Sequence, residues 1–494
     1  MRLGNLGFPF GAPTTEPGSA GRSWNIVPSL AVQLMGTDNV NQTSRGQRSD
    51  LITSIIPGIF ATADTSRLRG TLSYSPNFQI YASESDQNRI AHLYNAQALA
   101  TLIPQSLYFD LRGTGSVQAT AGGSSPQGGL VTDRRNQVQT TSIQASPYYI
   151  HRFGGLATAQ IGYAFQHVSQ DGNNQFLSQG GAPFFTAQEF TAHQGYAVVR
   201  TGEDFGPLAF QGQASGTFYS GTGVLDNAHR HIATIEARYA IMRGVAVLAE
   251  GGYEDQRYAG VPPLRIQDPV WAVGVRLTPG PESVIIAKYG HRDGFNSFYL
   301  DASVALGGRT RLTANYSDRL ATSALLAADL LSTTSLDALG NPVDTLTGAP
   351  TLQSYSSSFL GVQSSLLRIK RAVAAITQTW PRDSLTLSVY HEDQRPVAIA
   401  PGTTGFAQEG IYGALSWSHS LAPVTNLFGY LQYGHFDSPT SGSGDLFSAN
   451  AGLTHQINPK LSAILQYLLI TRSGNATNGR VTQNIILVGL RQTF

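Results

Sequence analysis

Apolar and polar residues alternate strictly along most of this chain. One apolar set is Leu68, Gly70, Leu72, Tyr74, Pro76, Phe78 and Ile80, while the positions between them are mostly Arg, Ser, Thr, Asn and Gln. The same division recurs at 107–114, 298–306 and 411–418. A repeat of two residues is typical of a β-strand with one apolar and one polar face. Because it continues over the whole length, it predicts one closed sheet and not several separate domains.

The connections between these strands alternate between short and long. Ten tight turns lie near 64–66, 104–105, 154–155, 203–207, 242–244, 279–281, 307–308, 381–383, 422–423 and 458–459. Eleven longer polar connections lie at 36–49, 83–88, 120–140, 169–190, 221–229, 255–267, 292–296, 318–363, 394–408, 437–445 and 473–481. Short periplasmic turns and long extracellular loops are typical of outer-membrane barrels. The sequence therefore predicts an all-β fold: a single transmembrane antiparallel β-barrel of about 22 strands (roughly 20–24), spanning 24–494 in the bacterial outer membrane.

The last strand ends in Phe494, as outer-membrane barrels commonly do. Counting back in steps of two gives Gln492, Leu490, Val488 and Ile486. This set suits a lipid-facing surface except at Gln492. Leu490 and Phe494 are therefore predicted to form the assembly signal that the barrel-assembly machinery reads. Membrane lipid and lipopolysaccharide are the expected surroundings.

Composition supports a membrane barrel. Only 13% of residues are charged, about half the usual share. No apolar run approaches the ~18 residues that a transmembrane helix needs. The absence of Cys excludes disulfides and thiolate metal sites. A net charge of +1 and dispersed basic residues give no indication of a nucleic-acid partner. Residues 1–23 lack an apolar leader, so we expect a periplasmic N-terminal segment from which the signal peptide has been omitted.

Large barrels of this size often carry a plug domain inside the lumen, as TonB-type transporters do. Because only 23 residues precede the first strand, we expect no plug. The lumen would then be open, or narrowed by connections that fold inward. The best candidate is 318–363, because 320–331 has helical spacing and many Leu and Ala residues. The alternative is a short helix that caps the rim or packs on a partner. The connection at 169–190 is a second candidate.

Charges on the polar face cluster in the middle of the chain. They are Glu236, Arg238, Glu250, Arg276, Lys288, Asp301, Arg309 and Arg311. Charges of both signs around a pore could select what passes. Alternatively, they pair across neighbouring strands and brace the wall. Both interpretations require a polar lumen.

The sequence offers no catalytic chemistry. His391, His419, His435 and His455 have lipid-face parity near strand ends, which suits anchoring at membrane interfaces. Their spacing is not that of metal ligands on one strand face. Ser416 and Ser418 have the opposite parity to His419, and there is no G-x-S-x-G or Walker motif. We therefore predict no enzyme activity, no catalytic residues, no cofactor and no metal.

The first third of the chain contains an ordered set of short motifs: Trp24-Asn25-Ile26-Val27-Pro28-Ser29-Leu30, Thr37-Asp38-Asn39-Val40-Asn41, Arg48-Ser49-Asp50-Leu51-Ile52-Thr53 before Pro57-Gly58, and Ser146 to Gly154. Over about residues 24–160, this set resembles the outer-membrane β-barrel family associated with the exosortase and PEP-CTERM sorting system. The resemblance implies a link to exopolysaccharide and biofilm matrix. It provides no catalytic residues to transfer.

Two functions remain open at this stage. One is a porin-like conduit or accessory for exopolysaccharide export, with polysaccharide or periplasmic export components as partners. The other is a structural or docking barrel that anchors matrix components at the cell surface and has a lumen filled by loops.

Overall fold

The computed structural model describes residues 23–120, 134–171, 183, 185–326, 334–336, 342–344, 359–438, 442–473 and 479–494. Its strands are β1 Trp24–Thr37, β2 Asp50–Asp64, β3 Leu68–Tyr74, β4 Asn77–Tyr81, β5 Arg89–Ala91, β6 Tyr94–Ile103, β7 Leu107–Ala119, β8 Gln137–Phe153, β9 Ala157–Asp171, β10 Gln188–Thr201, β11 Leu208–Gly221, β12 His229–Met242, β13 Val245–Tyr258, β14 Leu264–Gly280, β15 Ser283–Arg292, β16 Phe295–Gly307, β17 Thr310–Ala321, β18 Thr334–Leu336, β19 Pro342–Asp344, β20 Ser365–Thr379, β21 Asp383–Ile399, β22 Gln408–Ala422, β23 Thr425–Ser438, β24 Gly442–Asn458, β25 Leu461–Arg472 and β26 Val481–Thr493.

These strands build one closed antiparallel barrel. All except β18 and β19 belong to one 24-stranded sheet, in which β1 pairs with β26. Both β3 and β4 pair with β2 and continue one another, and β5 and β6 form the next transmembrane strand in the same way. The barrel therefore has 22 transmembrane strands, as predicted. β18 and β19 form a separate small hairpin.

Helical structure is scarce in the described residues. Short 3-10 turns occur at Ser85–Gln87, Arg134–Asn136, Glu203–Phe205 and Gly223–Leu225, and residues 323–326 form one α-helical turn. No helix in the described part of the chain is both long enough and apolar enough to cross a bilayer.

The two faces of the wall are those that the alternation predicted. Ile486, Val488 and Leu490 are about half exposed, whereas Ile485 and Leu487 are buried. The buried pair belongs to a cluster that also includes Met35 of β1 and Phe436 of β23. Strands that are not neighbours can share a cluster only inside the cylinder, so the buried parity is the inner face. Leu490 and Phe494 point outward, 50% and 65% exposed. Their role in assembly remains a prediction.

Side chains above the seam between the first and last strands reinforce it. Asn484 donates to Asp38 from its backbone N–H (2.8 Å) and from its side-chain amide (2.6 Å). Gln483 donates to the backbone carbonyl of Asn39 at 3.0 Å. At the other end of the seam, the N–H of Phe494 donates to the carbonyl of Pro28 at 3.0 Å. Closure is thus secured at both ends of the ladder.

Candidate functional site

Several long connections fold inward at the extracellular mouth. We call residues 359–364, just before β20, the mouth segment, and all six are buried. The Phe359 ring lies 4.8 Å from Tyr412 and 6.1 Å from Phe436, centroid to centroid, on the inner faces of β22 and β23. A Cβ at Gly410 would lie 2.6 Å from the Phe359 ring. The wall therefore needs glycine where the mouth segment packs against it.

Two glutamine side chains hold the backbone in the mouth. Gln408 accepts from the N–H of Gly361 at 3.2 Å and donates to its carbonyl at 2.7 Å. Gln363 donates to the carbonyl of Phe406 at 3.0 Å and accepts from its N–H at 3.2 Å. Each pair imitates one rung of a β-ladder, so the buried peptide groups are satisfied without strand pairing. We call these two pairs the glutamine clamps.

Other connections meet the mouth segment from across the barrel. The hydroxyl of Ser364 accepts from the N–H of Thr186 at 3.0 Å. Val261, between β13 and β14, pairs with Ile399 at the end of β21 through bonds of 2.9 and 3.2 Å. A buried cluster joins Val224 and Leu225 to Tyr258, Ile266, Leu320 and Leu366. Residues from five connections therefore pack together at this end.

Where the connection 318–363 is described, it folds inward; its role as a constriction, and the alternative of a helix that caps the rim, stay predictions. The helical spacing at 320–331 gives one described turn, at 323–326, where the N–H of Leu325 donates to the Thr322 hydroxyl at 3.0 Å. Phe185 of the second candidate loop packs against Val138 and Val362. Most of both predicted loops, including Phe176 and Phe184, lies outside the described residues.

A buried ionic network anchors the start of the mouth connection. The Asp293 carboxylate accepts from Arg230 at 3.1 Å and from Gln256 at 2.8 Å. Its other oxygen accepts from the N–H of Leu320 at 3.3 Å. Glu254 is fully buried and accepts from Gln256 at 2.9 Å and from the N–H of Gly294 at 3.2 Å. These contacts tie the tip of the β15–β16 hairpin to the end of β17.

Three of the predicted lumen charges come together on the inner wall. Glu236 and Glu250 stand directly opposite one another on β12 and β13. The Lys288 ammonium reaches both, in close contact with Glu236 and 3.3 Å from Glu250. Its stem passes over Gly274, where a Cβ would meet Lys288 Cγ at 2.8 Å. Arg292, which sequence reasoning missed, also binds Glu250 at 2.7 Å. Such pairing is what the bracing interpretation requires.

The other five predicted charges lie apart from this triad. Arg311 donates to Ser303 at 3.0 Å and lies 3.7 Å from Glu282. Asp301 stands opposite Asn315 in the ladder, and Arg309 is exposed in a turn. Arg238 and Arg276 have no hydrogen-bond or ion-pair partner among the described residues, and Arg276 Nε is buried. A role for these charges in selecting solutes remains a prediction.

The histidines lie on the outer face and pair with acids or hydroxyls. His435 and His419 lie 2.9 Å from Asp445 and 2.8 Å from Asp383, and His391 lies 3.9 Å from Glu409. His455 contacts the Thr425 hydroxyl at 2.9 Å. Among the described residues, no group of three or more His, Asp or Glu is arranged to hold a metal ion.

Comparison with solved structures supports the barrel fold. No family model and no curated protein matches the chain. Among solved structures, it is similar to the FrpB iron transporter of Neisseria meningitidis (F3-3 variant), with a TM-score of 0.50 and 8% identity, covering 96% of this chain and 82% of that one. It is also similar to the closed form of the ferric-catecholate import receptor Fiu of E. coli K12, with a TM-score of 0.50, 9% identity and the same coverage.

At such low identity, these similarities concern the fold alone. The protein is a large outer-membrane β-barrel. Both similar structures are named for transport and not for catalysis. The expected absence of a plug remains a prediction, because residues 1–22 lie outside the described chain.

Proposed function

We propose that this protein is a gated passage protein of the outer membrane. The main supporting observation is the mouth segment, which is buried across the extracellular end and is held by side chains instead of strand pairing. At the periplasmic end, inner-face side chains such as Arg152 and Arg200 are exposed to solvent. The proposed conduit is therefore closed outside and open inside.

The energetics favour a gate over a permanent wall. The mouth segment is held by the glutamine clamps and a few hydroxyl contacts, each contributing roughly 0.5–1.5 kcal/mol. Burial of Phe359, Leu360 and Val362 adds roughly 1.5–3 kcal/mol for each side chain. Opening the barrel would instead break complete ladders, such as the fourteen residue pairs between β1 and β2. A ligand or partner that bound the open mouth could move this segment while the wall stayed intact.

The proposed cargo comes from the resemblance over residues 24–160. It suggests a conduit or accessory for exopolysaccharide export, working with periplasmic export components. One of the two similar structures is named as an iron transporter, and the other is named as a ferric-catecholate import receptor. At 8–9% identity, they lend no support to either cargo for this chain.

A reversible disulfide can test the gate because the chain has no native Cys. The hydroxyls of Thr186 and Ser364 lie 3.4 Å apart and belong to two different connections of the mouth. In planar bilayers, the Thr186→Cys/Ser364→Cys variant should be silent when oxidised and should conduct intermittently after reduction.

The matched control is Thr377→Cys/Thr386→Cys, which joins neighbouring strands β20 and β21 where the hydroxyls are 3.1 Å apart. Its conductance should not depend on redox state. Equal conductance of the mouth pair in both states would show that this segment is not the gate.

A second candidate is a docking barrel that anchors matrix components, favoured by the apolar packing of Phe359 and Leu360, each 1% exposed. Phe359→Ala removes the main contact of the mouth segment with β22 and β23. A folded Phe359→Ala barrel that never conducts, together with a reduced mouth pair that never conducts, would favour docking over passage.

A further inference from the structure

Four arginines form an arc around the inner wall near the periplasm. Arg152, Arg200, Arg238 and Arg276 lie on β8, β10, β12 and β14, all of which run toward the short-turn end. All four side chains point into the lumen. On β10, β12 and β14, the outward-pointing residues Val199, Ile235 and Val275 lie an odd number of positions from the arginine. Beside β8, Ile161 of β9 points outward and marks the opposite parity to Arg152. We call these four residues the arginine arc.

The arc has no carboxylate partners among the described residues. Several acids on the inner wall are engaged elsewhere: Glu236 binds Lys288, Asp110 binds Arg112 at 2.9 Å, and Glu282 lies 3.7 Å from Arg311. Within the described chain, Asp204, in the turn after β10, lies beside Gly155 and forms no ion pair with the arc. Arginines near the mouth are paired, such as Arg230 with Asp293 and Arg371 with Glu392. Unpaired cations in a confined vestibule repel one another, so they are not there to stabilise the wall. They attract anions.

A row of tyrosines lies above one end of this arc. In the ladder, Tyr108 stands opposite Tyr148, Tyr148 opposite Gly162, and Gly162 opposite Tyr196. The Tyr108 and Tyr148 rings stack with centroids 5.2 Å apart and planes 19° apart. A Cβ at Gly162 would lie 2.3 Å from Tyr196 Cζ, so this ring occupies the place of the missing side chain. We call Tyr108, Tyr148 and Tyr196 the tyrosine row, and all three remain partly exposed.

The row and the arc are in register. Arg152 follows Tyr148 by four residues, and Arg200 follows Tyr196 by four, so each arginine lies about 13 Å further along its strand toward the periplasm than its tyrosine. Arg152 and Arg200 both stand beside Thr158 of β9, as Tyr148 and Tyr196 both stand beside Gly162. Gln160 lies between the two levels and donates to the Tyr196 hydroxyl at 3.4 Å. The surface thus presents aromatic faces, an amide and two guanidinium groups in sequence.

We propose that this surface binds anionic saccharides. The flat tyrosine faces stack on the apolar faces of sugar rings, and the guanidinium groups pair with carboxylates in bidentate geometry. A neutral sugar uses only the first part of the surface, and a simple inorganic anion only the second. The inference deepens the proposed function by naming the class of substrate, and it rests on that function for its place in a transport path.

Calorimetric titration of the full-length barrel in detergent micelles tests this. The probes are trigalacturonate, maltotriose of the same length without charge, and sulfate. Trigalacturonate should bind at least tenfold more tightly than maltotriose and sulfate at equal ionic strength, and its affinity should fall as salt is raised. Arg152→Gln/Arg200→Gln and Tyr148→Leu/Tyr196→Leu should each weaken it at least tenfold.

The matched control is Arg257→Gln, a charge removal on the exposed outer face of β13 that should leave the affinity unchanged. Heat-modifiable mobility in SDS gels verifies that each variant is folded. Equal affinity for trigalacturonate and maltotriose, sulfate binding as tight as trigalacturonate, or unchanged affinity in either double variant would overturn the proposal.

Binding requires no passage, so the two proposals can fail separately. A barrel that conducts yet ignores trigalacturonate would overturn only the saccharide site. A barrel that binds trigalacturonate yet never conducts would overturn only the conduit.

Discussion

At the scale of single residues, inner-face glycines accept neighbouring aromatic rings. A Cβ added at Gly452 would lie 2.3 Å from the Phe428 ring, and one at Gly162 would lie 2.3 Å from Tyr196 Cζ. The rings cover bare backbone that would otherwise lack side-chain packing in a strand. The abundance of glycine in this chain therefore reflects, in part, how its wall packs.

Gly452→Ala should destabilise the barrel because the Phe428 ring must leave its place. Overpacking of this kind typically costs about 1–3 kcal/mol. Urea unfolding in lipid vesicles measures the change. Gly251→Ala is the matched control, since nothing lies within 4 Å of the added methyl group. An equal loss of unfolding free energy in both variants would mean that ring packing does not explain the need for glycine.

The charge triad gives a second prediction at this scale. Lys288→Met leaves Glu236 and Glu250 directly opposite each other without the bridging ammonium. Like charges facing each other in a ladder are unfavourable, so we expect a loss of about 2 kcal/mol at neutral pH. Adding Glu236→Gln to Lys288→Met should recover part of that loss, as a double-mutant cycle in urea would show. Absence of any recovery would indicate that packing over Gly274 is the main role of Lys288.

At the scale of elements, the strands could be predicted from the sequence. For the mouth, the sequence indicated which connections fold inward but not the contacts that hold them. Leu68 to Ile80 follows a period of two because lipid and lumen impose opposite demands on neighbouring side chains. Proline cannot donate to a ladder, so a strand proline is expected at a bulge or strand end. Pro76 does separate β3 from β4, but Pro28 and Pro57 lie within the continuous β1–β2 pairing. No local pattern signals that Gln408 will bind Gly361. The unpaired arginines could have been found from inner parity near the periplasmic strand ends.

Gln408→Ala should open the mouth without unfolding the barrel. The change leaves the N–H and carbonyl of Gly361 buried without their partner, which costs roughly 1–3 kcal/mol each where water cannot enter. The segment should therefore exchange its amide hydrogens at least tenfold faster while the β1–β2 ladder stays protected. Gln144→Ala on β8 is the control and should change the exchange rate of neither the mouth segment nor the β1–β2 ladder. Uniform acceleration over all strands would contradict a local role.

At the scale of the whole molecule, one seam decides whether the sheet is a closed cylinder. β1 and β26 pair from Ser29 opposite Thr493 to Thr37 opposite Ile485. Above this ladder, Asp38 and Asn39 accept hydrogen bonds from the side chains of Asn484 and Gln483. A closed sheet has no free edge, which a bilayer would not tolerate.

Asp38→Ala should weaken the seam because the N–H and amide of Asn484 lose their shared acceptor. The folded band in SDS gels should convert to the unfolded band at a temperature several degrees lower. Asp437→Ala, which removes a carboxylate with no partner among the described residues, should leave that temperature unchanged. An identical shift of this temperature in the two variants would show that the seam has no special role in stability.

At Gly361 and Phe406, the glutamine clamps bind main-chain atoms and no side-chain atom. Every amino acid except proline offers the same N–H and carbonyl. Substitutions in the cell-surface loops can therefore accumulate while the glutamine clamps persist. Diversity among natural variants should concentrate in these loops and spare Gln363 and Gln408.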